Sequence, residues 1–326
     1  MLCYNVAVSE AAVIRFVSLR WFGGSGPRVW MMAAAVALAG GAGPAVAAEP
    51  AGSLTGTLAF VSDRSGQDEI YVRDLATGRE RRITRNPGPD RAPSWSPDGR
   101  WIAFNSRRPP HEDPEIYIVR PDKLKPRRLT RNPAEDQRPA FTADGRTIVF
   151  QRGDFTAGFG IWSVRVEDRV ETDLTKPDRA NSFDAAPDPS PVNGTIVLQT
   201  NRRVGSLFPF RLARLAEGRR QPHDFGPAAP ASIDGPRWSP DGRQIAFAAG
   251  GDLYVFTPSS NRLKRATSGK ASDLSPDWSP DGSMLVFQSD RRVATGGIHV
   301  VDLDSGAVRF IGEGRTPVWT RRIHAE

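Results

Sequence analysis

Aspartate recurs at one place along this chain. Asp90, Asp136 and Asp273 each stand five residues before an aromatic (Trp95, Phe141 and Trp278), Asp184 holds the equivalent place in a degenerate copy, and Asp234 lies one position off. Arginine recurs as well: Arg64, Arg108, Arg202 and Arg291 each come four residues after the phenylalanine, or Leu198 in its place, that ends a short apolar run. Repeated acids facing repeated guanidiniums suit two kinds of chemistry. In one, each arginine pairs with a nearby aspartate and staples one unit to the next. In the other, Asp90, Asp136, Asp184 and Asp273 converge, holding a hard cation such as calcium or receiving a basic peptide. Acids alone can also cleave a glycoside when two of them flank the bond.

Other catalytic signatures are missing. There is no Gly-x-Ser-x-Gly elbow, no glycine-rich phosphate loop after a strand and no His-Glu-x-x-His pair. The four histidines, His111, His223, His299 and His324, fall at non-equivalent places, so a shared histidine metal centre would need distant loops to meet. His111-Glu112-Asp113 is the most ligand-like cluster and reads as a solvated loop. The single cysteine, Cys3, excludes a disulfide framework or a thiolate metal site.

The elements that must position these residues are legible as a repeat. Trp95-Ser96-Pro97-Asp98-Gly99 returns as Phe141-Thr142-Ala143-Asp144-Gly145, Trp238-Ser239-Pro240-Asp241-Gly242 and Trp278-Ser279-Pro280-Asp281-Gly282. The aromatic ends one strand, proline and aspartate shape the turn, and glycine accepts the positive φ that closes it. A second strand follows at once: Trp101–Phe104, Thr147–Phe150, Gln244–Phe247 and Met284–Phe287. A weaker copy, Pro189-Ser190-Pro191-Val192-Asn193-Gly194, keeps the turn and loses the aromatic. The sixth copy is split, with a second strand at Thr57–Phe60 and a first strand at Thr316–Trp319.

Third strands follow at Glu69–Val72, Glu115–Val119, Gly160–Val164, Asp252–Val255 and Gly297–Val300. Fourth strands are clear at Arg81–Thr84, Arg127–Thr130 and Thr172–Thr175. The turn positions Asp98, Asp144, Asn193, Asp241 and Asp281 lie about 40 to 49 residues apart, the size of a propeller blade. Helical periodicity is absent from residue 53 onward. The expected fold is all-β: a six-bladed β-propeller of four-stranded antiparallel blades. Its C-terminal strand joins the N-terminal blade, setting Val318 beside Ala59, and Trp95, Trp238, Trp278 and Trp319 pack between blades. On that fold the recurrent aspartates and arginines ring one mouth of the channel.

Residues 1–48 read as an N-terminal extension with a secretory signal, and residues 49–326 as the propeller domain. The apolar run from Val29 to Ala48 follows Arg15, Arg20 and Arg28 and ends in Ala45-Val46-Ala47, suited to cleavage. Gly and Pro over positions 40–44 make it a poor spanning helix, so no stable membrane span is expected after cleavage. The formal net charge of +7 comes from basic residues scattered through every unit, which speaks against a nucleic-acid surface and leaves a modest bias toward acidic partners.

The unit Pro-x-Trp-Ser-Pro-Asp-Gly-x-x-Ile-Ala-Phe-x-Ser, followed by an Ile-Tyr-Val strand and Arg-Leu-Thr, resembles the β-propeller repeat of the TolB family over residues 53–326. The resemblance implies a periplasmic propeller that binds a protein or peptide of the cell envelope, such as a peptidoglycan-associated lipoprotein. Members of that family carry an α/β domain ahead of the propeller. Here the first repeat strand begins within about ten residues of the expected cleavage point, so that domain is expected to be absent. The same repeat occurs in propellers of peptidases and oligogalacturonate lyases. The leading expectation is therefore a monomeric periplasmic binding scaffold, and the alternative is a carbohydrate- or peptide-cleaving enzyme using the mouth acids.

Overall fold

The Ser-Pro-Asp-Gly turns are built by their own side chains. Ser96 Oγ donates to Asp98 Oδ1 at 2.6 Å, the same carboxylate accepts Arg100 N at 3.0 Å, and Trp101 N donates to Ser96 Oγ at 2.9 Å. Gly99, at φ +67°, donates its N–H to Ser96 O at 2.9 Å. Ser239, Asp241 and Gly242, and Ser279, Asp281 and Gly282, repeat the arrangement. Each turn therefore fixes the register of the hairpin it closes.

The computed structural model describes residues 54–321 apart from 110–112, 155, 176–181, 203–208, 227–230 and 295. The chain divides into two units, Met1–Pro50 and Ala51–Glu326, and all the described residues lie in the second. That unit is six four-stranded antiparallel sheets. From inner to outer strand, blade one is Arg315–Trp319, Thr57–Ser62, Glu69–Asp74 and Glu80–Arg82. Blade two is Asp90–Trp95, Ile102–Ser106, Glu115–Val119 and Arg127–Arg128. Blade three is Glu135–Phe141, Thr147–Asp154, Gly158–Arg165 and Glu171–Asp173. Blade four is Asp184–Pro189, Ile196–Thr200, Arg211–Leu215 and His223–Asp224. Blade five is Ile233–Trp238, Ile245–Ala249, Asp252–Thr257 and Arg262–Arg265, and blade six is Asp273–Trp278, Met284–Ser289, Gly297–Asp302 and Val308–Glu313. A single 3-10 turn, Pro258–Ser260, is the only helical element among the described residues.

The expected fold is the observed one, and the ring closes as expected: Ala59 pairs with Val318, and Leu58 with Trp319. Trp95, Phe141, Trp238, Trp278 and Trp319 each pack against the preceding blade, within the clusters around Ile83, Ile116, Leu212, Leu253 and Val300 respectively. The second-strand phenylalanines Phe60, Phe104, Phe150, Phe247 and Phe287 are all essentially inaccessible, which is where apolar burial contributes most to the fold.

One repeated feature was not read from the sequence. In all six inner strands the residue before the proline adopts positive φ: Ala92, Arg138, Ala186, Gly235, Ser275 and Thr316, at +45° to +58°. The ladder shifts register across each of these positions. Five of the six are not glycine, so each kink stores strain that neighbouring contacts must hold. Those contacts come from the blade before. Gln151 Oε1 accepts Ala186 N at 3.0 Å, Gln199 Oε1 accepts Gly235 N at 3.0 Å, Gln288 Oε1 accepts Thr316 N at 3.1 Å, and Asn105 Oδ1 accepts Arg138 N at 3.4 Å. The carboxamide after Phe104, Phe150, Leu198 or Phe287 thus ties one blade to the kink of the next, at four of the six seams.

Candidate functional site

The loops that join second to third strands and outer strands to the next blade emerge at the end of the channel where the inner strands begin. The recurrent aspartates sit just beneath these loops. Asp90, Asp136, Asp184 and Asp273 are all fully buried. Each is the first or, for Asp136, the second residue of an inner strand, opposite the C-terminal part of a second strand, and each carboxylate meets the arginine of its own blade. Arg108 Nη2 lies 3.2 Å from Asp90, Arg152 reaches Asp136 with two nitrogens at 2.7 and 2.8 Å, and Arg202 reaches Asp184 at 2.5 to 2.9 Å. Arg291 grips Asp273 through Nε at 3.1 Å and also through Nη2.

Ahead of Asp90 and Asp136 a second buried layer continues the joint into the preceding blade. Glu69 accepts Arg82 Nη2 at 2.7 Å, Thr84 Oγ1 at 2.6 Å and Asn86 N at 3.2 Å, and Asn86 Nδ2 donates onward to Asp90 at 2.7 Å. Glu115, Arg128, Thr130 and Asn132 repeat this ahead of Asp136. Thr84, Thr130, Thr175 and Thr267 also accept a third-strand N–H, at Ile70, Ile116, Ile161 and Leu253, which explains the threonine that closes these outer segments. The guanidiniums lie over aromatic faces, with Arg64 4.4 Å from the Tyr71 ring centroid, Arg108 4.7 Å from Tyr117 and Arg152 4.3 Å from Trp162.

Burial dominates the protonation of Asp90, Asp136 and Asp184. It pushes Asp90 and Asp184 upward against their arginines, and it pushes Asp136 up to about 6 despite the two-pronged bond from Arg152. His299, buried and stacked on Phe287 at 5.7 Å, is held below its ordinary range by burial. His223 is exposed and accepts Arg214 Nε at 2.7 Å, while His111 and His324 lie outside the described residues.

Two of the nine mouth residues read from the sequence stand apart from these joints. Arg64 meets no aspartate; it bonds Ser62 Oγ at 3.0 Å and pairs with Glu80. At the place of the joint aspartate blade one has Gly314, where a Cβ would come within 2.6 Å of the Phe60 ring. Asp234 lies on the rim, and blade five fills its joint with the buried Ile233 against Ala249. The four joint carboxylates thus occupy four separate seams, each already bonded to an arginine, and the donor set does not fit one shared calcium shell. Among the described residues no three or more His, Cys, Asp or Glu side chains gather as a metal-holding group.

The open part of the mouth is lined by other residues. A cavity of about 740 Å³ lies between blades one, two, three and six, lined in part by Asp68, Arg91, Arg107, Glu135, Arg138 and Arg315. Arg91 pairs with Asp68 at 2.6 Å, Arg107 with Glu135 at 3.6 Å and Arg138 with Asp234 at 2.9 Å, while Arg315 reaches Asp68 and lies 3.4 Å from Asp63. Arg91 and Arg107 keep 61% and 51% of their side-chain surface exposed. Each follows or precedes a joint residue, Asp90 or Arg108. Strand alternation turns Asp90 into the seam and Arg91 toward the channel, a signal the sequence carries.

The family described as the TolB beta propeller domain matches residues 32–219 and 211–322. The chain belongs to the TolB β-propeller family. Among curated relatives, the Tol-Pal system protein TolB of Desulfosudis oleivorans is 38% identical over 79 residues, 22% of this chain and 18% of that protein. The alignments to curated relatives span less than a fifth of those proteins' own length. The crystal structure of TolB from Acinetobacter baumannii superposes with a TM-score of 0.68 at 18% identity, over 82% of this chain and 67% of that one. A putative TolB from Agrobacterium tumefaciens superposes at 0.60 with 20% identity, over 80% and 92%. At these identities the structural likeness concerns the fold. No helix among the described residues is long and apolar enough to cross a membrane.

Proposed function

We propose that this TolB-family propeller is a periplasmic protein-interaction scaffold of the cell envelope that receives an acidic segment of a partner protein at the arginine-lined mouth. The observation that carries this reading is the division of charge at that mouth. The repeated carboxylates are sealed into the seams, whereas Arg91, Arg107, Arg138 and Arg315 line the open cavity, where the lining carboxylates are Asp68 and Glu135 and where Asp234 and Asp63 pair with Arg138 and Arg315 from outside it. Seam carboxylates that are buried and bonded to an arginine of their own blade favour a structural role over a substrate-facing one. Exposed rim arginines, by contrast, can exchange a rim partner for an incoming carboxylate at little cost. The signal-like apolar run at Val29–Ala48 and the Tol-Pal relative support the periplasm as the compartment and an envelope protein, such as a peptidoglycan-associated lipoprotein, as the partner class.

A glutamate-rich decapeptide titrated into the full chain by calorimetry tests the reading. Binding that weakens with added salt, and at least tenfold in R91E/R107E, is expected. Affinity unchanged by that double variant would defeat it.

A further inference from the structure

The inner strand of blade four ends in Pro189, and the seam between blades three and four is the one whose cluster holds no aromatic among the described residues. Pro189 pairs with Ile196 as Trp238 pairs with Ile245 and Trp278 with Leu285, so it occupies the place of the seam tryptophan. Beside it lies a cleft of about 480 Å³ on the face opposite the arginine-lined mouth. The equivalent cleft between blades four and five, with Trp238 in its wall, measures about 310 Å³.

Two further fillers are cut back at the same seam. In the smaller cleft Arg214 lies over the Phe225 ring at 4.9 Å. The repeat counterparts are Ser163, which faces Val149 as Arg214 faces Val197, and Leu174, whose N–H bonds the third strand as that of Phe225 does. Tryptophan, phenylalanine and arginine in one seam thus become proline, leucine and serine in the other. What remains is a slot with apolar walls at Val149, Leu174, Ile196 and Leu215, and with the Asp144 and Glu217 carboxylates at its rim.

We propose that this cleft receives an aromatic side chain, tryptophan above all, from a partner polypeptide, which stands in trans where Trp238 stands in cis. The occupant is specified by the molecule itself, because at this place in every other seam the propeller sets a ring of its own, Trp95, Phe141, Trp238, Trp278 or Trp319. An indole entering here would bury its faces against aliphatic walls and could offer its N–H to a rim carboxylate. This site goes beyond the channel reading, since it uses neither the mouth arginines nor the channel.

N-acetyl-tryptophanamide titrated into the isotope-labelled full chain, followed by NMR, is the test. Saturable binding on the order of millimolar, with shifts centred on Leu174, Ile196 and Leu215 and unchanged in R91E/R107E, is expected. Pro189→Trp should fill the slot from within, weaken the probe at least tenfold and raise the melting temperature. Should that variant fail to fold, Ala143→Trp on the exposed rim should block the slot in its place. Shifts that scatter over several seams, or that persist unchanged in the filled variant, would overturn the proposal. So would binding that appears only after Trp21→Ala and Trp30→Ala, since the chain's own leader would then be the occupant.

Discussion

Arg138 Nη1 lies 2.9 Å from Asp234 Oδ1, joining the inner strand of blade three to that of blade five. Blade four, between them, presents only Ala185 and Ala186 at the corresponding places, and both are buried. The pair is a strut across the mouth whose partners keep 42% and 34% of their side-chain surface exposed. Such a pair contributes little to stability, and a double-mutant cycle of Arg138→Ala and Asp234→Ala in urea should give a coupling energy below about 1 kcal/mol. A coupling of several kcal/mol would mean that the strut holds the ring and is not free to exchange partners.

The kinked inner strands should be sensitive where the blade before restrains them. Gln151→Ala removes the acceptor of the buried Ala186 N–H and leaves that donor unpaired at a left-handed residue. A loss of about 1–3 kcal/mol in urea unfolding is expected. Wild-type stability in this variant would show that the kink needs no such restraint.

Trp278 is 3% exposed, packs with Leu253 and Phe287, and donates Nε1 to Arg237 O at 3.0 Å. Trp278→Ala opens a cavity and orphans that carbonyl, for a loss of about 3–5 kcal/mol. Circular dichroism melts of the variant and the wild type provide the check, with a drop of only a degree or two contradicting the packing described.

Asp136, with its pKa pushed up to about 6 by burial, sets a pH dependence. A carboxyl raised in the folded state stabilises fully below its unfolded pKa, near 4, and that contribution is lost as pH rises through about 6. Asn cannot ionise, so the stability of wild type relative to Asp136→Asn should fall between pH 4 and pH 7, by up to about 3 kcal/mol. Urea titrations of both proteins at the two pH values measure it; a relative stability that rises with pH would show that Arg152 outweighs burial.

The blades were legible because their turns are local. Ser96, Asp98 and Gly99 bond one another within a few residues, so sequence spacing alone reveals the hairpin, and the split copy at Thr57 and Thr316 reveals the closure. The fourth blade was only half legible: its third strand, Arg211–Leu215, follows a long loop, and its aromatic is Pro189. The site was harder to read, since contacts made across seams leave no local trace. Counting four residues past the second-strand phenylalanine finds Arg108 but misses Arg152, which sits two residues past Phe150 on a longer strand and still reaches Asp136. The positive φ of Ser275 and Thr316 runs against the extended preference of a residue before proline and could be seen only in three dimensions.

The account turns on the arginine-lined mouth as the place where an acidic partner segment docks. Photo-cross-linking in cells, with benzoylphenylalanine replacing Gln137 inside the mouth or Asp304 on the outer edge of blade six, addresses it most directly. The account predicts an adduct with one envelope protein from position 137, none from position 304, and loss of the adduct in R91E/R107E. An adduct that survives the charge reversal, or that forms equally from both positions, would contradict it.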